Sequence, residues 1–206
     1  MRNIIFISEN VNKFKELEHY LLISEFNNFI KIQMIKPDND LLEIQSMNRH
    51  EIIKHKLEDA FTCNKLFINS QHFSEMENNI ETWIMVEDTS FEIEFMGGFP
   101  GPFVKYYLQS IPLIKISNSN LGSNAHSYVN LAIGRLTQYN EIVSVCFEGS
   151  IEGNISEPKG NNGFGFDPIF RPKGTNFTNA EMSMEQKEKY NPRTIAFKQV
   201  LEFLSK

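Results

Sequence analysis

Apolar residues in this chain keep two different periods, and the switches between them mark out the elements. A β-branched and aromatic run at 3–8, bounded by polar positions, predicts a short buried strand. Over 11–23 the period becomes helical: Phe14, Leu17, Leu21 and Leu22 share a stripe, and Lys13, Lys15, Glu16 and Glu18 fall largely on other faces. Asn10 stands where an N-cap belongs, so the turn presents backbone N–H groups and Lys13 at a helix N-terminus, a geometry suited to anions. A second strand is predicted over 29–35, followed by a loop with Pro37 and Glu43. A helix is predicted over 48–61, striped by Ile52, Ile53, Leu57, Ala60 and Phe61. Residues 62–82 are polar and mixed and read as an insertion or irregular segment. A buried strand at 83–86 leads into Glu87 and Asp88, then come a Gly/Pro loop at 97–102 and a short helix at 103–108. Residues 127–133 and 142–147 read as paired strands about a 134–141 connection, with 149–155 continuing the sheet. A glycine-rich loop spans 159–168, 183–189 is helical, and a last helix opens on Pro192 and buries Ala196, Phe197, Val200, Leu201 and Leu204. Interleaved strands and helices with antiparallel neighbours predict an α/β fold with a mixed sheet.

Composition narrows the function classes. Of 206 residues 41% are hydrophobic and 22% charged, with 18 Phe, enough for an ordinary core and incompatible with a disordered chain. The net charge of −6 argues against sequence-independent nucleic-acid binding, which draws on broad basic surface. No apolar run approaches the ~18 residues that span a bilayer, and the N-terminal apolar stretch is too short for a signal-peptide core, so a cytoplasmic protein without membrane association is expected. Cys63 and Cys146 have neither metal nor disulfide-framework spacing and read as buried thiols.

Two motifs are decoys. His50 and His55 are five apart, about 140° around a helix, and cannot share a zinc ion on one face. Gly160, Gly163 and Gly165 precede Asp167-Pro168 rather than a helix, so they are no dinucleotide fingerprint. The acids are more informative. Glu43 after the second strand, and Glu87 and Asp88 at the end of an apolar strand, suit a hard cation such as Mg²⁺, which prefers oxygen ligands and bridges phosphates. Lys13, Lys105, Lys159, Lys187 and Arg193 sit in or beside loops and helix ends; gathered opposite the acids, several of them would make a triphosphate site. Phe164 and Phe166, flanked by glycines, offer aromatic faces for a base, and Asp167 an acceptor for its N–H groups.

Six stretches occur in matching order: SENVNKFKEL (8–17), LEIQS (42–46), VEDTSFEIEFMGGFPGPFVKYYL (86–108), FEGSIEGNI (147–155), PKGNNGFGFDPIFRPKG (158–174) and TNAEMSMEQKEKYNPRTIA (178–196). On them the chain resembles the inosine-triphosphate pyrophosphatase family of house-cleaning nucleotide hydrolases. The resemblance implies one domain over 1–206, an elongated mixed β-sheet with flanking helices, and two lobes around a central nucleotide cleft. It also implies a homodimer that hydrolyses deaminated purine triphosphates (ITP, dITP, XTP) to monophosphate and pyrophosphate with Mg²⁺, or with Mn²⁺. By position, Ser8, Asn10, Lys13, Lys105 and Lys187 would hold phosphates. Glu43, Glu87 and Asp88 would hold metal, Asp88 with Lys13 would serve catalysis, and Phe164, Phe166, Asp167 and Arg193 would contact the base.

Three departures bear on these expectations. Asn191-Pro192-Arg193 replaces the family's Ser-His-Arg, and Pro192 has no donor to replace the histidine that reads the 6-oxo group, which opens pyrimidine or modified bases as alternatives. Glu9 stands where the phosphate loop has glycine, putting a carboxylate beside the phosphates and opening the reading of a non-catalytic nucleotide-binding protein. The 62–82 segment is longer than a direct helix-to-strand connection.

Overall fold

The computed structural model describes residues 1–37, 39–62, 81–137, 139 and 141–206. Most of the 62–82 segment, with Cys63, lies outside the described residues. Seven strands form a mixed sheet in the order β2-β1-β3-β5-β6-β7, with β4 beside β3. They are β1 (Arg2–Ile7), β2 (Ile30–Ile35), β3 (Glu81–Ile93), β4 (Pro100–Gly101), β5 (Asn124–Leu136), β6 (Ile142–Ile155) and β7 (Phe170–Pro172). The α-helices are α1 (Val11–Ile23), α2 (Arg49–Thr62), α3 (Val104–Ser110), α4 (Leu113–Asn120), α5 (Met184–Lys187) and α6 (Pro192–Leu204).

The chain divides into two compact units: Met1–Asp88 with Asn130–Phe147 and Phe197–Lys206, and Thr89–Val129 with Glu148–Ala196. In the first, β1 pairs in parallel with both β2 and β3, placing Ile4 beside Ile32 and Trp83. A strand with parallel neighbours on both sides is covered on both faces, which is why Ile4 to Ile7 is uniformly apolar and at most 4% exposed. Ile5 and Ile7, two apart and so on one face, pack with Ile84 and Val86 of β3 against Ile53, Leu57, Ala60 and Phe61 of α2. Gly134, read from the sequence as part of a turn, lies inside β5, because an added Cβ would stand 3.0 Å from Leu57 and 3.1 Å from Phe61. β5 and β6 are sheet neighbours joined by residues 137–141, a connection short enough only for an antiparallel pair.

In the second unit Phe91, Ile93, Val104, Ile116, Ala125, Ile155, Ile169 and Phe170 form the core. Phe166 belongs to it as well, stacked on Phe91 with ring centroids 4.0 Å apart. Helix α4 has no counterpart in the sequence reading. Its second half, Ser117 to Asn120, consists of weak helix formers, and burial holds it: Ser117 Oγ donates to the Ser156 carbonyl at 2.8 Å. Among the described residues no helix is long and apolar enough to cross a membrane. Cys146 is a free, half-buried thiol whose pKa burial pushes up, against the pull of Lys54.

Candidate functional site

Strand β3 is the backbone of the first group of site residues. It runs on through Thr89 and Ser90 to Ile93, so Glu87 and Asp88 lie inside the strand and not at its end, as the sequence reading had them. The apolar alternation resumes with Phe91 and Ile93, which four polar residues conceal from a pattern reading. Side chains of adjacent strand residues point to opposite faces, and the two acids meet different helices. Glu87 pairs with Lys13 of α1 at 3.0 Å, its side chain 1% exposed. Asp88 lies 3.7 Å from Lys56 of α2.

Lys13 is placed by the cap of α1. Asn10 Oδ1 accepts from Asn12 N at 3.0 Å and Lys13 N at 3.3 Å, and Ser8 Oγ accepts from Asn10 N at 3.1 Å. Ser8 and Asn10 therefore spend these oxygens on the turn between β1 and α1. Glu9 pairs with exposed Lys36 at 2.9 Å and raises the lysine's pKa through that hydrogen bond.

Glu43 sits in the loop before α2, where buried Asp59 accepts from Leu42 N at 2.8 Å and holds the chain beside the helix. Its Oε1 accepts from Lys56 at 2.6 Å. Lys56 thus bridges Glu43 and Asp88, and sequence reasoning missed it. The signal was available: Lys56 falls three after Ile53 and four before Ala60, inside the apolar stripe of α2, where a charge needs buried partners. Burial pulls the Lys56 pKa down, but Asp88, Glu43 and Glu87 together outweigh it and leave it raised. Burial likewise pushes the Asp88 carboxyl up, only partly countered by Lys56 and Lys13. Asp88 Oδ2 is buried and has no hydrogen-bond partner. Among the described residues no three Asp, Glu, His or Cys side chains gather as a metal cluster. The donors nearest to that role are Asp88 and Glu43.

The second group, in the other unit, surrounds Phe164. Gly163 has φ +82°, and a Cβ there would stand 2.2 Å from Asp167 Oδ2, so glycine lets the loop close over that carboxylate. Asp167 Oδ2 accepts from Phe164 N at 2.8 Å and Lys187 Nζ at 2.9 Å, and its Oδ1 accepts from Asn179 Nδ2 at 3.2 Å. The carboxylate expected to read a base thus accepts from its own loop, from the 179–181 turn and from α5. Lys187 is carried by α5, which a Ser183–Gln186 capping box starts. Arg193 follows Asn191, whose Oδ1 accepts from Arg193 N at 2.9 Å as the cap of α6. Lys187 Nζ and the Arg193 guanidinium lie 5.5 and 5.6 Å from the Phe164 ring centroid, and both residues are buried. The structure therefore places Lys187 with the aromatic residue and not with the acids, and Phe166 in the core. Lys105 is exposed on α3 with its ammonium 5.9 Å from the Tyr106 ring centroid.

A model of the Ham1 family matches residues 4–203. The chain belongs to the Ham1 family. This Ham1-family chain is 31% identical to a dITP/XTP pyrophosphatase of Saccharolobus solfataricus, over 96% of its own length and 91% of that protein's. It is 28% identical to an inosine triphosphate pyrophosphatase of Puccinia graminis, covering 98% and 97% of the two chains. Among solved structures, a HAM1 protein of Coxiella burnetii shares the fold with a TM-score of 0.71 at 22% identity, covering 100% of this chain and 99% of that one.

Proposed function

We propose that this chain is a nucleoside-triphosphate pyrophosphatase that hydrolyses deaminated purine triphosphates, ITP, dITP and XTP among them, to the monophosphate and pyrophosphate, as a homodimer in the cytoplasm. Relatives named for that activity align over almost the whole chain. The observation that carries the chemistry is Asp88, a buried carboxylate with one oxygen unpartnered and its pKa raised by burial. Exposed Phe95 and Tyr106 supply apolar surface consistent with the homodimer.

Water attacks the α-phosphorus, forming an O–P bond as the bond to the bridging oxygen breaks and pyrophosphate leaves; the proton passes to Asp88. A base with a raised pKa stays closer to the working pH than an ordinary aspartate, which favours taking that proton. Lys13 and Lys56, held by Glu87, Glu43 and Asp88, bring positive charge to the phosphate chain where negative charge develops. Asp88 Oδ2 and Glu43 fit Mg²⁺, or Mn²⁺, because such ions take one or two carboxylates and complete their shells with phosphate oxygens and water. When bound, the ion neutralises phosphate charge. Phe164, with Lys187 and Arg193 at its face, takes the base: the two cations suit an electron-rich carbonyl oxygen.

A second reading, the same chemistry on a pyrimidine or modified base, is favoured by Asn191-Pro192: Asn191 Oδ1 is spent on the helix cap and Pro192 carries no donor. Pyrophosphate release with Mg²⁺ across ITP, XTP, dUTP, dTTP and the four common triphosphates decides between them. Rates highest on ITP or XTP support the first reading and a peak elsewhere the second; binding without release overturns both.

A further inference from the structure

Asn179 is 2% exposed, in the short turn Asn179–Glu181, and its amide is half used. Nδ2 donates to Asp167 Oδ1, and since a carboxylate only accepts, that bond fixes which end of the amide is which. The other end, Oδ1, is buried without a hydrogen-bond partner. Buried acceptors are rarely left in that state, because desolvation is a cost that only a donor recovers. The turn is rigidly seated. Ala180 N donates to the Asp167 carbonyl at 3.2 Å, Asn162 N to the Ala180 carbonyl at 2.9 Å, and Thr178 Oγ1 to the Lys159 carbonyl at 2.9 Å. Asn179 therefore stands one carboxylate away from Phe164 N and Lys187 Nζ, held by the same loop that presents the aromatic ring. The other polar side chains named around that ring are the cations Lys187 and Arg193 and the Asp167 carboxylate, which already accepts three hydrogen bonds, whereas Asn179 Oδ1 accepts none.

We propose that Asn179 is a specificity-determining residue of the base site, its Oδ1 accepting a ring N–H of the bound base. The inference rests on the reading of Phe164 and its cations as the base site. A 6-oxopurine carries hydrogen on ring N1, whereas a 6-aminopurine presents a lone pair there, which would face the Asn179 oxygen without attraction. The acceptor thus complements the cations: they take the carbonyl oxygen and Asn179 takes the neighbouring N–H, a pair of features that adenine lacks. A site built to hydrogen-bond a group rejects ligands without it.

The test is calorimetric binding of inosine, adenosine and 1-methylinosine 5′-monophosphates to the full-length wild type, Asn179→Leu and Asn179→Ala, with pyrophosphate release from ITP and ATP measured alongside. The wild type should prefer the inosine compound over the other two by roughly tenfold or more. In both variants that preference should fall to about threefold or less, with adenosine monophosphate affinity little changed. The alanine variant covers misfolding of the leucine one, and 1-methylinosine tests the N–H on unaltered protein. A wild type without preference, or variants in which all three ligands weaken in parallel, overturns the inference. Absent pyrophosphate release together with an Asn179-dependent preference would defeat the activity reading and leave this one standing.

Discussion

The two charged groups solve opposite problems. Around β3, the carboxylates of Glu43, Glu87 and Asp88 meet two ammonium groups, Lys13 and Lys56, and one oxygen of Asp88 has no hydrogen-bond partner. Around Phe164, the carboxylate of Asp167 accepts from Phe164 N, Asn179 and Lys187, and Lys187 and Arg193 bring two cations to an aromatic face. The first group suits a cation and the second an electron-rich partner.

The sharpest way to break this comparison is Asp88→Asn, which removes the proposed proton acceptor and keeps the shape. Turnover should fall about 10³-fold or more, measured as pyrophosphate release, while the folded spectrum persists. Wild-type activity should show an acid limb above the ordinary carboxylate range, since the raised Asp88 pKa means protonation begins at a higher pH on acidification. The stability contribution runs the other way: a raised folded pKa favours the fold at low pH, and that contribution is lost as pH rises through it. Activity and the Asp88 contribution to stability should therefore slope in opposite directions through the same pH window, and a rate profile flat through it would contradict the assignment.

Arg193→Met tests the second group. Removing one of two cations at Phe164 should lower kcat/KM on ITP by about 10- to 100-fold, mostly through KM, and leave the Asp88 acid limb where it was. A shifted limb would mean that the two groups are not separable in this way.

Lys56→Met leaves Asp88 and Glu43 without the ammonium between them. Breaking buried ion pairs costs about 3–5 kcal/mol, and roughly 2 is expected here because the Glu43 side chain is 37% exposed. Thermal melting at neutral pH measures this, and added Mg²⁺ should recover part of the loss if the carboxylates bind it. The smallest effect belongs to Glu9→Gly. Its partner Lys36 is exposed, so thermal stability should hardly change. Turnover should stay within about threefold, and a large gain in activity would show that Glu9 obstructs the phosphates after all.

Local patterns carried much of this into the sequence. The β1-to-α1 turn, its Asn10 cap and the α6 stripe were legible because residues within a few positions of one another determine them. The extent of β3 was not, since Glu87 to Ser90 look like a loop until Lys13 and Lys56 arrive to neutralise them. Lys56 itself was visible only as a misplaced charge in an apolar stripe. Phe164 and Phe166 are separated by one glycine and were indistinguishable; Gly165, with φ +65°, turns the chain between them, and one ring meets Phe91 while the other meets the cations. The hydrogen bonds that Asp167 accepts from residues 164, 179 and 187 were not legible, because such contacts are invisible to spacing.

The division of the chain has a consequence for its synthesis. Every residue of the Phe164 unit precedes Phe197, whereas the unit holding Asp88 is unfinished until Phe197–Lys206 emerges. That last segment is no trimming: Phe197, Val200, Leu201 and Leu204 are at most 1% exposed, and the Leu204 carbonyl accepts from Arg2 near the opposite end of the chain. A growing chain can therefore complete its aromatic unit first, while the acidic one waits for Phe197–Lys206 to emerge. Loss of the final turns should strike the unit made of the earliest residues, detectable as protease sensitivity in β1 and α1 of a chain stopped at Ala196.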